Sequence, residues 1–407
     1  MTSQIAISNQ TGVVIASDTV TSLSLDGAIQ KTINDQQKIW PLCPNNTIAI
    51  ITSGRTTVNG IRKSILITEW KRSSDKTFAT VEECAEQFNS WLSNKNQPFT
   101  EESEKKVVID LVTSHIGKLQ ETIVQSLKQL DLYFSDSNSA DEIKVVIDNS
   151  IAESVETLDG LPQYPSFKSD SSKRLIDELT EDVDSLIDDI MWDCLPDSES
   201  RAVIKQSLPL LLATIQDIED LDATFGFVGF GSNEIFPAIS RISVRGFYCS
   251  SLQSVCSNDE AFDQTNPGDV ALFAQTDAIR AFAKGYHEDV LNHVAGVLID
   301  KLAEHIDDVD KLVEITVEIE DSIKEYAEES FTIPLLATIG NLNLNDLAKL
   351  ADSLIGMQSI KSAASPHPAT VGGLIEILLI DREHGFRWFR KLPSRTSPIP
   401  LVDQFND

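Results

Sequence analysis

The chain has 407 residues and carries 33 Lys and Arg against 63 Asp and Glu, a formal net charge of −30. That balance excludes sequence-independent nucleic-acid binding, which needs basic surface to displace counterions from phosphate, and it disfavours anionic membranes. A hydrophobic fraction of 41% is enough for a sizeable core, and the length allows one enlarged domain or two.

Residues 4–53 read as short strands separated by turn residues. Ile5-Ala6-Ile7-Ser8 turns through Asn9-Gln10-Thr11-Gly12 into Val13-Val14-Ile15-Ala16-Ser17-Asp18, a further strand starts at Lys38-Ile39-Trp40, and another covers 47–54. Residues 56–72 and 80–95 predict helices. From 99 to 219 there is no strand signal. Val112, Ile116, Leu119, Ile123, Leu127 and Leu130 recur at three- and four-residue spacing, and so do Leu175, Leu179, Val183, Leu186 and Ile190, each set marking one helix face. The loop Leu161-Pro162-Gln163-Tyr164-Pro165 separates them, and Pro196 and Pro209 bound or start further helical pieces. Strands resume over 223–249. Helix returns over 278–330, with Val309, Leu312, Ile315, Ile319 and Ile323 on one face, then over 344–362, before a closing hairpin at 373–392 and an irregular stretch after Pro393.

The chemistry concentrates at the start. Thr2 follows Met1 directly, and threonine is small enough for methionine aminopeptidase to act there. Removal of Met1 would place an α-amine and a hydroxyl on one residue, a general base beside a nucleophile. An α-amine titrates at roughly 7.7–8.0, so a useful fraction is neutral near pH 7. A neighbouring lysine would favour the neutral amine, and a carboxylate would hold that lysine charged and oriented. Asp18 and Lys38 can fill those roles if the sheet returns them to Thr2.

Thr2, the strand from Gly12 to Asp18 and Lys38-Ile39-Trp40 together resemble the N-terminal threonine hydrolases of proteasome β-subunits and the bacterial HslV-type peptidases. The resemblance resumes at Thr224-Phe225-Gly226-Phe227-Val228-Gly229-Phe230-Gly231, at Ala271-Leu272-Phe273-Ala274-Gln275-Thr276-Asp277 and at Gly372-Gly373-Leu374-Ile375-Glu376-Ile377, in family order over about half of the chain. It implies an α+β fold, a four-layer α-β-β-α sandwich of the Ntn-hydrolase type, with an inserted helical bundle. The core would comprise 1–98, 220–290 and 338–395, the insertion 99–219, a second helical expansion 291–337 and an irregular tail 396–407.

The resemblance further implies Thr2 as nucleophile, Lys38 and Asp18 as its support, the backbone N–H of Ile50 as oxyanion donor, Thr276 and Asp277 in place of a serine-glycine pair, and Thr21 and Ser22 pairing with extended substrate. It implies a threonine peptidase acting through an acyl-enzyme on peptide or unfolded protein, assembled as a homo-oligomer, with no cofactor or metal and with any ATPase or regulator a separate protein. An inactive scaffold and a non-peptide Ntn amidase are the alternatives. The chain departs from the pattern in the longer 22–37 segment and in Pro368 and Val371, which stand near where proteasome β-subunits carry an aspartate and a serine.

Other patterns read as structure. His287 and His293 lie six apart and face different sides of a helix, unlike the i, i+4 pair of a zinc helix. The acidic run Asp177 to Asp189 reads as a solvated helix face. Gly226, Gly229 and Gly231 lack the Gly-Lys-Ser/Thr of a phosphate loop. Cys43, Cys84, Cys194, Cys249 and Cys256 are scattered without CxxC spacing, which with no signal-peptide pattern predicts a reducing, cytoplasmic location. No apolar stretch approaches the roughly 18–20 residues of a membrane span.

Overall fold

The computed structural model describes residues 2–25, 28–33, 36–42, 47–73, 77–94, 99–130, 140–216, 221–258, 267–306, 308–366 and 369–392, with the side chains of 22–33 and 140 outside the description. The tail expected over 396–407 and Pro368 lie outside the described residues.

Strands open the chain: β1 (Ser3–Asn9), β2 (Gly12–Ser17), β3 (Thr21–Leu25), β4 (Ala28–Ile33), β5 (Ile39–Pro41), β6 (Thr47–Gly54) and the two-residue β7 (Thr57–Val58) and β8 (Ile61–Arg62), followed by helices α1 (Lys63–Ser73) and α2 (Val81–Leu92). The β1–β2 turn is held by Asn9, whose Oδ1 accepts from Thr11 N (2.9 Å) and Thr11 Oγ1 (2.6 Å). Residues 57–62, expected to be helical, form the β7–β8 hairpin instead. Asn59 and Gly60 both take positive φ (47° and 80°), the geometry that an Asn-Gly pair gives a tight hairpin turn.

The next segment is helical: α3 (Glu101–Gln129), α4 (Ala140–Asp159), α5 (Ser169–Glu178), α6 (Thr180–Ile190) and α7 (Ser198–Ala213). Thr100 and Ser103 form a reciprocal cap at the start of α3. These helices share one buried cluster that includes Val112, Ile116, Leu119, Ile123, Leu127, Val183 and Ile187. Leu130 departs from the predicted face: it sits just past the end of α3 and is 59% exposed. Pro209 lies inside α7 rather than at its start. Tyr248 and Cys249 join the same cluster, and the Tyr248 hydroxyl donates to Leu212 O (3.0 Å).

The remaining elements are β9 (Ala223–Phe230), β10 (Ala238–Tyr248), β11 (Ser251–Asn258), β12 (Gly268–Ala274), α8 (Asp277–Lys284), α9 (Glu288–Ala303), α10 (Val309–Ala327), a π-helical segment (Glu328–Thr332), α11 (Ile333–Asn341), α12 (Leu344–Ala364), β13 (Glu376–Asp381) and β14 (Gly385–Arg390). On α10 the expected apolar face is only partly covered, with Leu312 buried and Val309 exposed. No described helix is long and apolar enough to cross a membrane.

The protein is thus a mixed α+β structure whose described residues form two five-stranded antiparallel sheets, ordered β12-β1-β2-β13-β14 and β11-β10-β9-β6-β5. Period-two alternation assigns each strand's faces. Ala6, Val13, Ile15, Phe273, Leu378 and Ile380 of the first sheet share a dry cluster with Ile39, Ala49, Ile51, Val228 and Phe230 of the second. Ile5, Ile7, Val14, Ala16, Ile377 and Leu379 point the other way and pack on α8, α11 and α12 through Ile279, Ile339, Leu347, Ala351 and Ile355. Ile48, Ile50, Phe225 and Phe227 meet Leu66, Ile67, Trp70 and Phe88 of α1 and α2. Between the sheets the packing is close at Gly226, where a Cβ would lie 2.6 Å from the Phe273 ring and 2.8 Å from Ile51.

Ile116 is fully buried in the cluster of α3–α7. Its truncation to alanine is expected to destabilise the protein by about 2–5 kcal/mol, the range for a core cavity, read as a lowered midpoint in urea unfolding.

Candidate active site

Three strand ends bring Thr2, Asp18 and Lys38 together. Thr2 precedes β1, Asp18 follows β2, and Lys38 precedes β5 in the opposite sheet. Because β1 and β2 pair in the register Gln4↔Ser17, Asp18 returns beside Thr2, and Asp18 N–H donates to Ser3 O (3.1 Å). Asp18 is the hub. Its Oδ1 accepts from Thr2 Oγ1 (2.6 Å), Ser3 N (3.0 Å) and Lys38 Nζ (2.7 Å), and its Oδ2 accepts from Gly372 N (3.3 Å). The Lys38 ammonium also donates to Thr2 Oγ1 and to Val20 O, so its three hydrogens have three acceptors.

All three side chains are buried, with relative exposures of 5% for Thr2, 0% for Asp18 and 5% for Lys38. Burial pulls the Lys38 pKa below that of a free lysine, while Asp18 and more weakly Glu376 oppose the shift. A lysine so placed holds its cation against a hydroxyl while giving up a proton more readily than a surface lysine does. That suits stabilising an oxyanion on Thr2 Oγ1.

The other expected site residues divide. Thr276 is buried near Thr2: the adjacent Gln275 N–H donates to Thr2 O (2.9 Å), although Thr276 Oγ1 turns to Ala274 O (3.4 Å). Asp277 is not brought to Thr2. Its carboxylate is held on α12 by Gln358 Nε2 (2.6 Å) and by Lys361 Nζ. Thr21 begins β3 and pairs with Ile33 of β4; the Ser22 side chain lies outside the described residues.

Ile50 is corrected. Thr52 N donates to Lys38 O and Leu42 N to Ile48 O, both at 3.0 Å. The alternation of an antiparallel ladder then makes Ile50 and Trp40, lying between those pairs, hydrogen-bonded partners. The Ile50 amide is committed to β5, and its side chain packs toward α1 and α2. The amide on the same edge of β6 that runs past the end of β5 is that of Gly54. Ser53 faces β9 opposite Thr224, and in a trans peptide the following N–H points the opposite way, toward the edge where Lys38 enters. Gly54 takes φ +69°, and a Cβ there would lie 2.2 Å from Asp222 O, so only glycine fits this turn.

Further site residues carry no motif and emerge only from sheet register. Gln4 is fully buried and donates through Nε2 to Ser17 Oγ and across to Thr52 O, both at 3.0 Å, tying the two sheets beneath Thr2. Glu376 pairs with Ser17 in register and accepts from Leu392 N (3.2 Å). Lys63, the first residue of α1, is buried and donates to Ser53 O (2.5 Å). A buried Gln beside a strand-end Thr is a weak sequence signal, and a lysine opening a helix is none.

Among the described residues no group of three or more His, Cys, Asp or Glu is placed to hold a metal ion. His287 instead caps α9, its Nδ1 accepting from Asp289 N (3.3 Å). No protein-family model matches the chain, and no curated protein matches it.

Replacing Lys38 by alanine leaves Asp18 buried without its cation. It is expected to lower stability by about 3 kcal/mol or more, with a part recovered when Asp18→Asn is added, as read by a double-mutant cycle in urea.

Proposed function

We infer that the protein is an N-terminal threonine hydrolase of the proteasome-like type, its paired sheets and flanking helices forming the four-layer α-β-β-α sandwich of that class, and that it cleaves peptide bonds. One observation carries the reading. A buried lysine is hydrogen-bonded at once to the hydroxyl of Thr2 and to a buried aspartate, and the reading takes Thr2 as the residue that processing exposes as the N-terminus. The hydroxyl thus lies between the cation that would stabilise its ionised form and the carboxylate that fixes that cation.

In the reaction, the freed Thr2 α-amine takes the proton of Oγ1 as Oγ1 attacks the peptide carbonyl. The Lys38 ammonium, fixed by Asp18, lowers the cost of the negative charge on Oγ1. The Gly54 N–H meets the oxyanion of the tetrahedral intermediate. Collapse breaks the C–N bond, and the proton held on the amine passes to the leaving amine, leaving an ester on Thr2. Water, deprotonated by the same amine, hydrolyses the ester and restores the hydroxyl. An extended peptide fits alongside Thr21 by strand addition. Assembly into a homo-oligomer follows from the same reading, and any ATPase or regulator is then a separate protein.

Intact mass before and after incubation with a peptide epoxyketone tests this, because the reagent requires both hydroxyl and amine of an N-terminal threonine. Loss of Met1 with a single adduct on Thr2 is expected, and Thr2→Ala should give no adduct and no peptide hydrolysis while still unfolding cooperatively, at a lower temperature because Lys38 loses one buried acceptor. Retained Met1 without an adduct, or turnover surviving in Thr2→Ala, overturns the assignment.

A further inference from the structure

Lys63 is placed against every ordinary preference of a lysine. It is buried, and among the described residues no carboxylate pairs with it; the charge that acts on it is Lys38, another cation. It opens α1, whose first turn holds no acidic residue, so it sits at the end of the helix dipole that repels cations. Burial and the Lys38 charge push its pKa down to about 7. Each term disfavours a charged lysine, and a hydrophobic residue of the same length would fill the place at lower cost. Buried charges in such settings concentrate at functional sites.

What Lys63 touches gives the reason. Its Nζ donates to the carbonyl of Ser53 (2.5 Å), with the Phe225 ring 5.9 Å away. The Ser53 carbonyl and the Gly54 N–H belong to one peptide unit. A lysine nitrogen donating to the carbonyl oxygen, as ammonium or as neutral amine, draws electron density from the amide, makes the N–H a stronger donor, and fixes the plane of the unit. The neighbouring peptide is held as well, with Thr52 N–H on Lys38 O (3.0 Å) and Thr52 O on Gln4 Nε2 (3.0 Å). The end of β6 is therefore held by three contacts, and that of Lys63 acts on the peptide that carries the Gly54 N–H.

The geometry points to Lys63 as a positioning residue that polarises and orients the Ser53–Gly54 peptide, so that the Gly54 N–H is a stronger oxyanion donor. This rests on the threonine-hydrolase reading, in which that N–H meets the oxyanion. Lys63 acts through the peptide and not on substrate, so its removal weakens the chemical step and leaves binding unchanged.

The test compares wild type with Lys63→Met and Lys63→Arg in labelling by a tripeptidyl epoxyketone, whose ketone passes through the same oxyanion. Lys63→Met is expected to melt at or above the wild-type temperature and to lower kinact on the order of tenfold with KI unchanged, a smaller loss than the roughly 100- to 1,000-fold for removing a direct donor. Lys63→Arg keeps an N–H donor on the carbonyl and is expected to retain kinact within about threefold. Equal kinact in wild type and Lys63→Met, or a loss confined to KI, overturns the proposal and leaves the threonine-hydrolase reading intact. If Lys63→Met does not fold, Lys63→Arg decides alone: wild-type melting with kinact lowered tenfold or more overturns the proposal. A wild-type protein that takes no label removes the underlying reading and this proposal with it.

Discussion

The buried Asp18–Lys38 pair is the constraint around which the rest is arranged. Taking a carboxylate and an ammonium out of water costs several kcal/mol per ion, and their attraction repays this only when the remaining hydrogen-bonding sites are filled. Here they are filled from distant parts of the chain: Ser3 from β1, Gly372 from the segment before β13, Val20 from beyond β2, and Thr2 itself. Satisfying one ion pair therefore fixes how the ends of β1, β2 and β5 and the approach to β13 meet. The two sheets are joined at the same spot by Gln4 reaching Thr52.

The sheets supply the rigidity that such a site needs. Residues on β1, β2, β6 and β13 are buried on both faces, so a slip of one register position would drive Gln4 and Ser17 into the helical side and Ile5 and Ala16 out of it. The polar end of the inter-sheet space, with Gln4, Ser17 and Glu376, lies beyond the dry cluster of Ala6, Ile15 and Leu378. Apolar packing sets the separation of the sheets, and the polar groups at one end inherit that separation.

Much of this was legible in the sequence, for physical reasons that differ by element. The hairpin of β1 and β2 reads as two short apolar runs across a polar turn, the face of α3 and the one shared by α5 and α6, which break at Leu179, follow from three- and four-residue apolar spacing, and the convergence of Thr2, Asp18 and Lys38 follows from strand ends. The β7–β8 hairpin was hidden because Asn59-Gly60 sits in a run whose apolar spacing mimics a helix, and turn chemistry prevailed over that spacing. Ile50 misleads as an oxyanion donor because nothing in a strand's sequence tells which amides its neighbours consume; that parity is set by the pairing of Lys38 with Thr52. Asp277 misleads because its partners, Gln358 and Lys361, lie more than 80 residues away. Lys63 was invisible for the same reason: nothing near it in the sequence tells that its Nζ meets the Ser53 carbonyl.

The sheet order has a consequence for the time at which the site comes into being. β1 pairs with β12 and β2 with β13, and Asp18 awaits the amide of Gly372, so the sheet that carries Thr2 closes only when nearly the whole chain has been made. At the ribosome's pace of about 5–20 residues per second, that is on the order of tens of seconds after Thr2 leaves the tunnel. Contacts of such sequence separation are also slow to form once the chain is free. Thr2 is made long before β13 and is among the last residues to acquire its surroundings, because the carboxylate that holds its hydroxyl is itself completed only by the amide of Gly372.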